Sequence, residues 1–134
     1  MNNIELSKRG RWRSNVWTYP GASSLGSDAR RGLQEHPTVK PTAMLVDSLL
    51  DLSNRGEIAI DPFLGSGSTL IAAEECDRVC RGVELDPLYV DVIVRRYEAL
   101  TGNPGLLVET GEAFADLELR RSRESAGPCP QSSE

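Results

Sequence analysis

The sequence predicts an α/β fold built on a parallel sheet, and three observations carry that prediction. Two short strand-type runs, Glu57–Asp61 and Val79–Glu84, are each followed by a helix-type segment, and a third run, Gly105–Glu109, comes after the second helix. A glycine loop, Pro62–Ser68, joins the first strand to its helix. The order strand, helix, strand, helix, strand implies parallel strands joined by right-handed crossovers.

Residues 1–14 are polar and basic, with little to bury. Asn15–Tyr19 (NVWTY) is a short β-prone run stopped by the turn signal Pro20-Gly21. Residues 21–35 are rich in Gly, Ser and charge and read as a loop. His36–Pro41 (HPTVKP) contains two prolines, so its backbone is extended and rigid. Thr42 opens a helix with Met44, Leu45, Leu49, Leu50 and Leu52 on one side. Asn54-Arg55-Gly56 ends it with glycine. Glu57–Asp61 (EIAID) reads as a buried strand, and Thr69–Cys76 as a helix with Leu70, Ala72 and Ala73 inside. Val79–Glu84 (VCRGVE) is the second strand. Pro87 suits the first turn of a helix over Pro87–Leu100, whose apolar side is Tyr89, Val90, Ile93, Val94 and Tyr97. Thr101-Gly102-Asn103-Pro104 breaks it. Residues 120–134, rich in Arg, Ser and Pro, are expected to form a disordered tail. The expected organisation is a basic segment over 1–14, one domain over 15–119 and the tail over 120–134.

At 134 residues and 39% hydrophobic content the chain has material for one modest domain. A formal net charge of −5 argues against nucleic-acid binding by charge alone. The charge is uneven. Residues 1–40 carry seven Lys/Arg against three Asp/Glu, and residues 41–134 carry eight against seventeen. A basic front end on an acidic body fits one face touching phosphate. For Lys8, Arg9, Arg11 and Arg13 alone, a solvated segment explains it equally well. The three cysteines are odd in number and no secretion signal is present, so no disulfide scaffold is expected. Cys76 and Cys80 lack a second pair and the sole histidine is His36, so no metal site is expected. No apolar run has the length to cross a membrane. The chain reads as soluble and cytoplasmic.

Chemistry concentrates at Asp61–Thr69 (DPFLGSGST), between a strand and a helix. Glycines there let the backbone turn tightly and let a ligand come close. Glu84 closes the next strand about 20 residues on, where an acidic side chain meets ribose hydroxyls in such sheets. A dinucleotide fingerprint wants Gly or Ala at its third position, which here is Leu70. A pyrophosphate favours a bare helix N-terminus, whereas Asp61 puts negative charge at that edge. A carboxylate there better suits a ligand bearing an ammonium and a sulfonium. The G-x-x-x-x-G-K-[ST] phosphate loop is absent.

HPTVKP, then DPFLGSGSTLIAAE, then GVELDPLYVDVIVRRYEALTG, in that order and spacing, resembles the DNA amino-methyltransferases that modify adenine N6 or cytosine N4. The likeness is to the C-terminal, cofactor-binding part of the subclass whose catalytic motif precedes its cofactor motifs. It covers roughly residues 12–116. It implies a partial Rossmann-like methyltransferase fold, truncated at the N-terminal side, with S-adenosyl-L-methionine as cofactor. By the same likeness the cofactor contacts are Asp61, Pro62, Phe63, Gly65, Ser66, Gly67 and Ser68 of the loop, Glu84 on the ribose hydroxyls, and neighbouring Leu85. His36, Thr38 and Lys40 of HPTVKP would line the methionine side, and Trp17 belongs to the segment closing the target-base pocket. On residue type alone, Trp17 also fits a core aromatic, Phe63 a loop cap, Lys40 a solvated side chain and Asp86-Pro87 a helix cap. Tyr89 and Tyr97 read as core positions.

Enzymes of this kind flip the target base into a pocket. They hold its amine with an Asp/Asn-Pro-Pro-Tyr/Phe tetrapeptide and act by positioning and electrostatics. The tetrapeptide is absent: Asp61-Pro62 and Asp86-Pro87 are followed by Phe63 and Leu88. No catalytic residue is therefore assigned, and the chain alone is expected not to methylate DNA. The implied partners are double-stranded DNA, met together with the missing catalytic half, and a complementing chain. Half a sheet leaves a central strand exposed as an edge, which invites such pairing. A non-catalytic S-adenosylmethionine- or partner-binding remnant, or a split-enzyme subunit in a restriction-modification system, is the alternative. A methyltransferase for small molecules or proteins is disfavoured by HPTVKP ahead of the glycine loop. The stretch between Pro20 and His36 is too short for a sizeable recognition domain.

Overall fold

The computed structural model describes residues 16–19 and 40–125. Its elements in order are α1 (Thr42–Leu52), β1 (Ile58–Asp61), α2 (Ser68–Glu75), β2 (Val79–Gly82), α3 (Pro87–Thr101) and α4 (Phe114–Ser125). β1 and β2 form a parallel pair, in register from Ile58 opposite Val79 to Asp61 opposite Gly82. The ladder runs on at both ends: Val79 N–H donates to Glu57 O, and Val83 N–H to Asp61 O, each at 2.9 Å. The architecture is thus part of a Rossmann-like α/β fold, with α2 as the crossover.

Small side chains let α2 sit close to its neighbours. Ile71, Ala72 and Ala73 are buried on it, and it packs against α1, β2 and α3. With Cys76 and Ile93 these make up the buried apolar side chains of the described residues. α3 begins as its sequence dictates. Asp86 accepts from Leu88 N–H at 2.9 Å, and Pro87 takes the first position, where no donor is needed. It ends at Gly102, whose φ of +72° suits glycine.

Arg78 is 8% exposed and acts as a staple. Its guanidinium donates to Ser53 Oγ at 3.1 Å, to Ser53 O at 2.7 Å and to Cys76 O. The end of α1 is thereby tied to the turn before β2.

Three features differ from the sequence expectation. First, residues 105–109 add no strand to the parallel sheet. Gly105 N–H is held by Glu98 Oε1 at 2.8 Å, and a turn with Gly111 at φ +72° reverses the chain soon afterwards. The segment therefore pairs with its own continuation, through an antiparallel bridge between Leu106 and Ala113. Second, α4 runs into the stretch whose composition suggests a tail. Its charges are spaced for pairing: Arg120 reaches Glu112 at 3.0 Å and Glu124 at 3.4 Å, while Arg95 of α3 meets Glu118 at 2.5 Å and lies over the Phe114 ring. Third, β1 is not buried on both faces. Ile58 is 60% exposed and Ile60 76%, because no described residue covers that face.

The expected basic segment 1–14, the loop 21–35 and residues 126–134 lie outside the described residues. Among the described residues no helix is long and apolar enough to cross a membrane.

Candidate functional site

The parallel register puts the carboxyl ends of β1 and β2 side by side, and the chemistry-bearing residues gather there. Asp61 is the last residue of β1 and Gly82 its partner on β2, so Glu84 stands two residues past the neighbouring strand end. Between them runs the glycine loop.

Each carboxylate is fixed by short local bonds. Asp61 Oδ1 accepts from Phe63 N–H at 3.0 Å, and its Oδ2 accepts from the Thr69 hydroxyl at 2.6 Å. The first bond shapes the start of the loop as an Asx turn. The second ties the strand end to the first turn of α2. Glu84 Oε2 accepts from Gly65 N–H at 2.6 Å, while Oε1 accepts from Leu85 N–H at 2.9 Å and Asp86 N–H at 3.0 Å. Leu64 N–H also donates to Val83 O at 3.0 Å. The loop is therefore strapped to the end of β2 by one backbone bond and one charge-assisted bond, the stronger type.

Two glycines of the loop have left-handed φ, Gly65 at +55° and Gly67 at +79°. At Gly67 there is a second constraint. A Cβ there would stand 3.0 Å from Ile93 Cγ1 and 3.1 Å from Cγ2, so a side chain would press the loop against α3. Arg96, one turn further along α3, donates to Ser66 O. Ser66 and Ser68 are buried and their hydroxyls bond to each other at 3.1 Å.

The result is an open edge flanked by two exposed apolar side chains, Phe63 at 84% and Leu85 at 96%. Three carboxylates stand there: Asp61, Glu84 and Asp86. The field of Asp61 reaches the next strand. The Cys80 thiol is pushed up, by burial first and by Asp61 second. An edge of this sign suits a ligand carrying positive charge and hydroxyl donors and repels phosphate. Among the described residues no group of His, Cys, Asp and Glu is arranged to hold a metal.

Of the sequence-derived site residues, Asp61, Pro62, Phe63, Gly65, Ser66, Gly67, Ser68, Glu84 and Leu85 come together at this edge. Ser66 and Ser68 turn their hydroxyls inward. Lys40 is exposed just ahead of α1. His36 and Thr38 lie outside the described residues. Trp17 is described, 39% exposed, with its ring edge-to-face against Tyr19. Sequence reading missed Thr69, Ile93 and Arg96, which hold the loop without facing the ligand side. Thr69 carries a readable signal, being a hydroxyl eight residues after Asp61 at the start of a helix. Ile93 and Arg96 carry none, since their part depends on how α3 lies against the loop.

Comparison with known proteins gives the chain's family. A family model described as DNA methylase, of the N6/N4 type, matches residues 1–95. DNA adenine methyltransferase YhdJ of Escherichia coli (strain K12) is 36% identical over 84 residues, which is 63% of this chain and 27% of that protein. Type II methyltransferase M2.DpnII of Streptococcus pneumoniae is 31% identical over 100 residues, 72% of this chain and 36% of that one. Orphan methyltransferase M.BamHII of Bacillus amyloliquefaciens is 33% identical over 84 residues, 63% and 31% of the two chains. Among solved structures, that of the M1.HpyAVI–SAM complex is 25% identical, with a TM-score of 0.49 over 63% of this chain and 42% of that one. The chain thus spans about a third of the length of the curated relatives it matches. The family match takes in HPTVKP, the glycine loop, Glu84 and most of α3, well over half of the sequence, and the chain belongs to the N6/N4 DNA methylase family.

Proposed function

We propose that this chain binds S-adenosyl-L-methionine across the ends of β1 and β2 and forms the cofactor half of a DNA methyltransferase acting on adenine N6 or cytosine N4. One observation carries the reading: Asp61 and Glu84 are both anchored to the glycine loop, so two carboxylates are oriented side by side at adjacent strand ends. The donor set fits this cofactor. Glu84 takes a ribose hydroxyl on Oε2, which accepts one backbone bond where Oε1 accepts two. Asp61 supplies negative potential for the ammonium and sulfonium. Phe63 and Leu85 offer exposed apolar surface to the adenine. Lys40, with His36 and Thr38, belongs to the methionine side, and Trp17 to the target-base pocket. The cofactor's contribution is an electrophilic methyl group; the chain's is to hold and orient it.

The acceptor in this reading is double-stranded DNA, and the protein works in the cytoplasm. No Asp/Asn-Pro-Pro-Tyr/Phe tetrapeptide occurs in residues 1–134, so holding the base amine is assigned to the catalytic half and not to these residues. The exposure of Ile58 and Ile60 supports that part of the reading. It is the face on which further helices of such a sheet would rest.

Calorimetric titration with S-adenosylmethionine and S-adenosylhomocysteine tests the reading, alongside the double variant Asp61→Ala/Glu84→Ala. Saturable binding lost in the variant is expected. A folded chain that binds neither ligand refutes the cofactor site. Methyl incorporation into DNA by the pure chain is expected to be nil, and detectable incorporation would overturn the reading that these residues supply only the cofactor half.

A further inference from the structure

Residues 16–19 contribute more to the fold than Trp17 alone. Tyr19, half-buried, donates its phenol hydrogen to Oδ2 of Asp47, 28 positions away on α1. The Trp17 ring meets that of Tyr19 edge-to-face, with centroids 6.3 Å apart and planes at 63°. Trp17 itself is 39% exposed and Val16 72%, so burial holds the segment only weakly. The platform beneath Asp47 is firm. α1 packs on α2, and Arg78 staples its far end.

We infer that Tyr19 is a positioning residue, whose bond to Asp47 seats residues 16–19 on α1 and so orients Trp17. What Trp17 is oriented for rests on the function proposed above; the seating does not. Three physical points support the inference. A phenol bonded to a carboxylate is a charge-assisted pair, stronger and more directional than a neutral one. Closing a loop between positions 19 and 47 has an entropic cost that a half-exposed segment cannot meet through apolar contact alone. Asp is also among the poorer helix formers, yet Asp47 sits mid-helix in α1, away from any cap. Its side chain has a use there that outweighs its propensity.

The sequence holds two tryptophans, Trp12 and Trp17, so Trp12→Phe in the full chain leaves Trp17 as the single emitter. Acrylamide quenching of Trp17 then reads its seating with no cofactor present. In that background Tyr19→Phe keeps the ring but removes the donor, Asp47→Ala removes the acceptor, and Asp47→Asn keeps an accepting oxygen. Losing the bond shifts the seated-to-released ratio by about tenfold, so Tyr19→Phe and Asp47→Ala both raise the quenching constant. Asp47→Asn, which keeps an acceptor but loses the charge, falls between wild type and Asp47→Ala, and Tyr19→Phe/Asp47→Ala is no worse than the worse single change. Quenching unmoved in both single variants would overturn the proposal. So would loss of helical circular dichroism in Tyr19→Phe, which would make Tyr19 a folding residue. A chain that seats Trp17 yet binds no S-adenosylmethionine refutes the proposed function and leaves this inference intact.

Discussion

Replacing Gly67 by alanine tests how the loop is held. Two penalties add at this position. The φ of +79° places a non-glycine residue in the left-handed region, at about 1–2 kcal/mol. The new Cβ would also stand 3.0–3.4 Å from three atoms of Ile93, a branched side chain only 5% exposed and so unable to swing away. Overpacking of that kind costs about 1–3 kcal/mol. The sum is about 2–5 kcal/mol, a large share of what a small domain possesses. Gly56 provides the control, with nearly the same φ of +77° and nothing within 4 Å of an added Cβ. Gly56→Ala carries the conformational penalty alone. Urea unfolding followed by far-UV circular dichroism, in a stabilising osmolyte if Gly67→Ala proves too weak, gives both values. The clash is then isolated by Ile93→Ala, which removes the offending atoms. Gly67→Ala/Ile93→Ala falls short of the sum of its single changes by about 1 kcal/mol or more. Equal costs at Gly56 and Gly67, or strict additivity with Ile93→Ala, would refute the account of how α3 braces the loop.

Glu84→Gln loses the charge and places an amide donor among three N–H groups, so S-adenosylmethionine affinity falls about ten- to a hundredfold by calorimetry; unchanged affinity would remove Glu84 from the site. Arg78→Ala strips three hydrogen bonds from a buried staple and lowers stability by about 2–4 kcal/mol in urea unfolding, and Arg78→Lys recovers little because one ammonium cannot span Ser53 and Cys76. The Glu57 carboxyl is held below its ordinary value, first by the Asn54 side chain and then by the Asn54 backbone, so its contribution is present above the ordinary carboxylate value and lost as pH falls through the lower folded one. An NMR titration of Glu57 should move upward in Asn54→Ala, and an unmoved midpoint would discard the cause. Burial pushes the Cys76 thiol up, so its contribution holds at neutral pH and is lost as pH rises beyond the ordinary thiol range. Alkylation of Cys76 in the folded chain should be slow at neutral pH.

The parts of the fold that could be read from sequence are those fixed by local signals. Asp86-Pro87 and Gly102 bound α3 within a residue, because a cap, a first-turn proline and a left-handed glycine act over a few positions. Ile58–Asp61 and Val79–Gly82 were likewise visible as β-type runs around a glycine loop. What could not be read depends on competition between distant groups. Gly105–Glu109 has strand composition, but Glu98 captures Gly105 N–H and Gly111 turns the chain, so a hairpin-like bridge wins over the sheet. The Arg-rich stretch from residue 120 reads as a tail in composition and as a helix once Glu112 and Glu124 are placed against Arg120, and Glu118 against Arg95 of α3. In the site, the motif residues were legible as a set, yet their division of labour was not. Nothing in the string shows that Glu84 reaches back to Gly65, or that the hydroxyls of Ser66 and Ser68 face inward.

That division of labour decides which variants can report on the ligand alone. Asp61, Glu84 and Gly67 serve the loop and the site together, so a loss of affinity in any of them mixes a missing contact with a disturbed loop. Phe63 and Leu85 differ. At 84% and 96% exposed they support little of the fold, and substitutions at such positions usually change stability by less than about 0.5 kcal/mol. Phe63→Ala and Leu85→Ala should therefore leave the urea midpoint in place. If an adenine rests against them, each should weaken S-adenosylmethionine binding, and Phe63→Ala the more, because an aromatic face contributes about 1–3 kcal/mol to stacking on a base. S-adenosylhomocysteine carries the same adenosine, so its affinity should fall in parallel, whereas methionine, which lacks the adenosine, should not register the change. Equal affinity of the wild type and Phe63→Ala for S-adenosylhomocysteine would mean that the adenine lies elsewhere, and the ligand would have to be turned end for end across the two carboxylates.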